Sequence, residues 1–158
     1  MKRTLMTATV ALTAAVITLA AATGPAGSVG TARVFFPNPV AFLQDQSLTD
    51  QKDADYPALL SAYRFVELTN LDGSGYLRGD WANIASETGP PAFSATNAFM
   101  YNRHEDEFEQ VMAYYWVTEA QKYIQRLGFG SGPFRPINKE PQDIRINQWG
   151  AGQFVFMG

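Results

Sequence analysis

The longest uninterrupted pattern in the chain runs from Arg103 to Leu127, where no Gly or Pro occurs and Phe108, Val111, Met112, Tyr115, Ile124 and Leu127 recur at helical spacing. Ala120 and Tyr123 extend the same stripe, so the period predicts one long amphipathic helix over about 103–127. Tyr114, Trp116 and Val117 lie off the main stripe, which predicts burial on more than one side. The ends carry signals too. Asn102 followed by Glu105 suits an N-terminal cap, Glu105, Asp106 and Glu107 suit the positive end of the helix dipole, and Arg126 suits the negative end. Gly128 then supplies a left-handed terminator, with Phe129 beside it for an apolar contact.

Elsewhere the pattern is that of short strands. Tyr63–Leu71 (YRFVELTNL) and Tyr76–Ala85 (YLRGDWANIA) flank Asp72-Gly73-Ser74-Gly75 and predict a hairpin. Arg33–Phe36 predicts a strand that Pro37-Asn38-Pro39 stops, because each proline removes a donor and restricts the residue before it. Leu43–Asp55 carries four aspartates and reads as a solvated loop, Tyr56–Ala62 as a helical turn, and Phe93–Tyr101 as an extended segment. Asp143–Trp149 alternates Ile144 and Ile146 against polar neighbours, and Gln153–Met157 is a second β-prone run after the Gly150-Ala151-Gly152 turn. The fold class expected is therefore α+β: an N-terminal hairpin and loop region, one long buried helix and a short β edge at the C-terminus.

The N-terminus changes the picture most. Lys2 and Arg3 precede an uncharged stretch from Thr4 to Ala22 that closes on three alanines, the pattern of a secretory signal peptide cut after Ala22, or after Ala26 as second choice. An uncleaved anchor is the alternative, although five threonines weaken a stable span. The expected organisation is a signal peptide over 1–22, a flexible Gly-rich leader over 23–32 and one domain over 33–158, with a secreted, extracellular location and no stable membrane span after cleavage. The chain has 158 residues, enough for one core, and 46% hydrophobic with 13% aromatic residues argues against disorder. A net charge of −3 leaves no basic footprint for nucleic acid. There is no cysteine, which excludes disulfides and thiolate zinc sites.

Catalytic side chains are scarce. His104 is the single histidine, and His104-Glu105 begins like the zinc motif H-E-x-x-H but has Phe108 in the fifth position, so no second imidazole is present. No G-x-S-x-G elbow presents a serine for a triad. Asn70–Gly75 partly fits the start of a calcium loop, yet its twelfth position is Trp81 where a bidentate Glu is needed. Asp45, Asp50, Asp53 and Asp55 are candidate hard-oxygen ligands for which solvated loop charges are the commoner reading. Glu105 and Glu109 share a helix face but Glu119 does not, so paired carboxylates are a weak signal, and Tyr114, Tyr115 and Trp116 read as core.

The runs YNRHEDEFEQVMAYYWVTEAQKYIQRLGF (Tyr101–Phe129), RVFFPNPV (Arg33–Val40), DADYPAL (Asp53–Leu59) and LDGSGYLRG (Leu71–Gly79) resemble secreted bacterial metallopeptidases of the thermolysin and fungalysin type. The resemblance implies an incomplete metallopeptidase N-terminal lobe, a helix beside a twisted sheet whose edge strand pairs with substrate, and it puts Gln153 and Phe154 near that edge. It implies zinc as the family's cofactor, with calcium as a further candidate, but no catalytic residue or metal ligand transfers to this chain, which ends before the zinc-binding helix. The expectation is an exported, truncated, catalytically inactive metallopeptidase-like protein whose exposed apolar surface meets a protein partner or the missing C-terminal half. The alternative is a non-enzymatic exported binding or interaction module.

Overall fold

The computed structural model describes residues 28–48, 57–85, 89–130 and 140–146. The elements in chain order are β1 (Ser28–Phe35), α1 (Pro39–Leu43), α2 (Pro57–Leu60), β2 (Tyr63–Leu71), β3 (Ala82–Ile84), β4 (Ala98–Phe99), α3 (Asp106–Arg126) and β5 (Gln142–Ile144). The class is α+β, as the pattern predicts.

β1 is the middle of a three-stranded sheet ordered β2-β1-β4. It pairs antiparallel with β2, from Ser28 opposite Leu71 to Phe35 opposite Tyr63, and parallel with β4, Ala32 opposite Phe99. Its period-2 alternation turns Ala32 and Val34 inward and Thr31 outward. The chain crosses so closely there that a Cβ on Gly30 would come within 2.5 Å of the Asn97 carbonyl oxygen, which excludes any larger residue. β1 begins at Ser28, so the last part of the expected leader is strand: Ser28, Gly30, Thr31 and Ala32 have partners on β2, with a register shift between Ser28 and Gly30, and Gly30 lets the chain pass beside Asn97.

β2 has the predicted limits, but the hairpin with 76–85 does not form. Gly73 and Gly75 both take positive φ (81° and 84°) and curl the chain so tightly that it meets β2 at one bridge, Leu71 with Gly79. The Asp72 N–H donates to the Arg78 carbonyl at 2.8 Å, and β3 instead pairs parallel with β5, Ala82 opposite Gln142 and Ile84 opposite Ile144. Of the strand expected over 143–149 only Asp143 and Ile144 lie in β5; Arg145 and Ile146 lie beyond its end, and residues 147–149 and the Gln153–Met157 run lie outside the described residues.

α3 lies across β1, β2 and β3. Phe108, Gln110, Val111, Tyr114, Tyr115 and Thr118 are buried, and none of the residues after Thr118 is. The predicted stripe therefore fails in its last third, where Tyr123 and Leu127 are 57% and 52% exposed. The helix also starts three residues late. Asn102 does not cap it, because its Oδ1 accepts from the Arg33 guanidinium at 2.5 Å while its backbone N–H donates to Glu105 Oε2 at 2.6 Å. The C-terminus is as expected: Gly128 has φ 94°, its N–H donates to the Gln125 carbonyl at 2.9 Å, and the Phe129 N–H donates to the Ile124 carbonyl at 3.3 Å.

Two apolar clusters result. The main one joins the sheet, Leu77, Ala82, Ile84 and Ala92, and α3 around Val34, Leu68, Phe99, Val111 and Tyr114. The smaller one gathers Phe35, Leu59, Ala62, Tyr63 and Phe108 at the N-terminal end of α3, with Leu43 and Leu48 packed against it. The segment read as a wholly solvated loop thus contributes two leucines to this packing. Among the described residues no helix is long and apolar enough to cross a membrane.

Candidate functional site

The Pro37-Asn38-Pro39 break does more than end β1. Asn38 becomes the N-cap of α1, its Oδ1 accepting from the Ala41 N–H at 2.8 Å, and Pro39 opens the helix where a missing donor costs nothing. α1 is one turn long and buries none of its residues. It stands over the smaller cluster as a wall and leaves a cleft of about 360 Å³.

Apolar groups make most of that cleft: Phe35, Leu59 and Phe108 form its base, and Pro39, Val40, Leu48 and Met112 its sides. The base is rigid. Phe35 stacks on Tyr63 at 4.7 Å and meets Phe108 edge-on at 5.0 Å, and the Phe35 N–H donates to Met112 Sδ at 3.2 Å. Among the described residues Asn38, Arg103 and Glu109 also line it. Tyr63 Oη accepts from the Arg103 N–H at 2.9 Å, which fixes the point from which the guanidinium leaves the backbone. Glu109 stands exposed in the first turn of α3.

A second, wider concavity of about 850 Å³ is polar, with Asp72, Asp80, Glu140 and Asp143 around Arg78. Its carboxylates have local work: Asp72 Oδ1 accepts from the Ser74 N–H at 2.8 Å, and Asp143 Oδ1 from Asn83 Nδ2 at 2.7 Å. The calcium-loop resemblance of Asn70–Gly75 ends here as a turn in which Asp72 binds its own backbone. Among the described residues no group of three or more His, Cys, Asp or Glu side chains is placed to hold a metal ion.

The candidate residues scatter. His104 is exposed in the turn before α3, Glu105 holds the Asn102 N–H, and Glu119 pairs with Lys122 at 2.6 Å, so the helix carboxylates do not converge. Tyr114 is core, its hydroxyl donating to the Thr69 carbonyl at 2.9 Å; burial, with Asp80 and Asp72 nearby, pushes its ionisation well above the ordinary tyrosine range. Burial also raises Tyr115, assisted by Glu119. Trp116 is 40% exposed and stacks on Phe36 at 5.3 Å, so the aromatic triplet is core on one side and surface on the other. Asp45 is held below the usual carboxylate range by hydrogen bonds from Ser47, and Asp50, Asp53, Asp55, Gln153 and Phe154 lie outside the described residues. Sequence reasoning missed the cleft; its signal was the cap potential of Asn38 between two prolines, which also reads as a simple stop.

No family model matches the chain, and no curated protein or solved structure was found to be similar to it. The thermolysin and fungalysin resemblance therefore rests on the quoted motifs alone.

Proposed function

We propose that the chain is a non-catalytic, exported protein of thermolysin- or fungalysin-like type, equivalent to the front lobe of such a peptidase, and that it works by presenting apolar surface to a second body. The observation that carries this reading is the change along α3: its buried residues all lie between Phe108 and Thr118, whereas beyond them Tyr123 and Leu127 face outward at 57% and 52% exposure. Apolar aromatic surface of that kind is costly in water and suits a covering partner. Cleavage is not assigned to it, because one histidine and no cysteine cannot supply the paired imidazoles or thiolates that grip a zinc ion.

The test has two parts. Purified full-length chain incubated with a protein substrate, with and without chelator, is expected to show no chelator-sensitive cleavage; stoichiometric, chelator-sensitive proteolysis overturns the proposal. A DNA read beyond codon 158 that encodes an H-E-x-x-H segment, in frame or shifted, supports the lobe.

A stand-alone binding module is the second reading, favoured by the 360 Å³ cleft at the N-terminal end of α3. Unrelated DNA beyond codon 158 selects it.

A further inference from the structure

We infer that the outer face of α3 is a dimer interface on which the same helix of a second copy of this chain packs antiparallel, a reading that rests on the proposed role of α3 as a presenting surface and names its second body.

The stripe comes first. Trp116, Ala120, Tyr123 and Leu127 are all exposed and stand four, three and four residues apart, the spacing of a coiled-coil seam. At about 100° of turn per residue they fall within about 60° of one another, on the side of the helix opposite the buried Val111, Tyr114 and Thr118. Leu127 keeps to the helical path, with φ −75° and ψ −1°. α3 is thus apolar inward and apolar again outward. Phe36 widens the outer stripe, since it stacks on Trp116 at 5.3 Å and is itself 46% exposed. Glu109, one heptad before Trp116, is exposed and charged and closes the stripe at its N-terminal end.

Size and charge set the direction of pairing. Laid antiparallel about a two-fold axis between Gln121 and Lys122, each layer sets a large residue against a smaller one: Tyr123 meets the partner's Ala120, and Trp116 with Phe36 meets the partner's Leu127. Glu119 and Arg126 lie on one flank of the stripe, so the same axis brings Glu119 beside the partner's Arg126 and Arg126 beside the partner's Glu119. Both charges stay close to the seam: Lys122 holds Glu119 through Oε1 at 2.6 Å, and the Arg126 guanidinium carbon lies 5.9 Å from the centre of the Tyr123 ring. The other flank carries the uncharged Val117 and Ile124. A parallel pair faces Glu119 with the partner's Ile124 and sets each large seam residue against its own copy, so no opposite charge is met. The stripe is self-complementary in one direction only. At about three turns it is short, which makes the dimer a weak one.

The experiment is sedimentation equilibrium of the full chain, expected to show a monomer–dimer equilibrium with a dissociation constant of roughly 10–100 µM. Leu127→Lys and Tyr123→Lys, both at exposed positions, each weaken it at least about tenfold. Glu119→Arg and Arg126→Glu each weaken it about fivefold or more, and the two together restore it. Should a lysine variant fail to fold, the charge exchange on the flank still decides the matter. The chain has no cysteine of its own, so Ala120→Cys, close to the two-fold axis, is expected to give a covalent dimer with a short bismaleimide, whereas Leu127→Cys, about 16 Å along the helix from its counterpart in an antiparallel pair, gives none. Equal crosslinking at both positions marks a parallel pair and overturns the inference. So does a chain that stays monomeric at about 500 µM, including one in which Leu127→Lys lowers the melting temperature because another segment of the same chain covers the stripe. A dimer indifferent to Leu127→Lys, or one that the combined charge exchange does not restore, overturns it as well. The peptidase-lobe reading fails separately, by chelator-sensitive cleavage, which a monomer does not produce and a dimer does not prevent.

Discussion

The two apolar clusters are built from similar residues and have opposite character. The main one is well covered: the sheet lies on one side and α3 on the other, Leu77, Ala82, Ile84 and Ala92 pack at the flank, and Val34, Phe99 and Val111 are fully hidden. The smaller one has equally hidden residues but a wall, α1, that contributes nothing buried, and so it keeps a cleft. Closure follows from who supplies the cover. A helix of 21 residues spans three strands, whereas a single turn capped by Asn38 cannot reach across the Phe35, Tyr63 and Phe108 rings. Rigidity at the base and openness at the wall are the combination a small-ligand site needs.

Truncation should separate the clusters by size of effect. Phe99→Ala, in the closed cluster, is expected to cost about 3–5 kcal/mol in urea unfolding, because nothing can collapse into the hole. Leu59→Ala, at the cleft, is expected at about 2–3 kcal/mol, since the cavity merely enlarges beside an existing one. Equal losses would show that the cleft closes in solution.

Tyr114→Phe is expected to cost about 1 kcal/mol near neutral pH, the loss of one hydrogen bond to the Thr69 carbonyl, with the ring still in place. Its pH dependence is sharper. In the unfolded chain the hydroxyl ionises near 10.0, whereas the folded chain holds the proton to higher pH, so this group's stabilisation is complete below pH 10.0 and is lost as pH rises above it. Tyr115 acts in the same direction. Melting temperatures followed upward from pH 9 should therefore fall less in Tyr114→Phe than in the parent, and parallel curves would refute the burial of that hydroxyl. The smallest effect belongs to Lys122→Ala on the exposed end of α3, below about 0.5 kcal/mol, because its pair with Glu119 is solvated. A larger loss there would mean that this end of the helix is covered in solution.

What was legible in the sequence was local. The β2 limits, the Gly128 terminator and the buried face of α3 from Phe108 to Tyr115 follow from residue order alone, since each depends on neighbours within a few positions. What was not legible depended on distant partners. Asn102 has every attribute of a cap until Arg33 takes its side chain, and Tyr76–Ala85 has the makings of a hairpin arm until β5 offers Ala82–Ile84 a parallel neighbour. The cleft belongs to the same class: Asn38, Leu59, Arg103 and Glu109 line one space only after the fold has brought them together. The four motifs of the peptidase resemblance likewise describe segments and leave their assembly open.

The placement of β1 at the centre of its sheet carries a cost in time. This strand leaves the ribosome before either neighbour exists, and its two edges are satisfied only once residues 63–71 and then 98–99 have been made. Until then both rows of amide and carbonyl groups are open to any extended chain nearby. Folding that depends on such remote pairings is slow. β3 waits longer still, because its partner in the parallel ladder is residues 142–144.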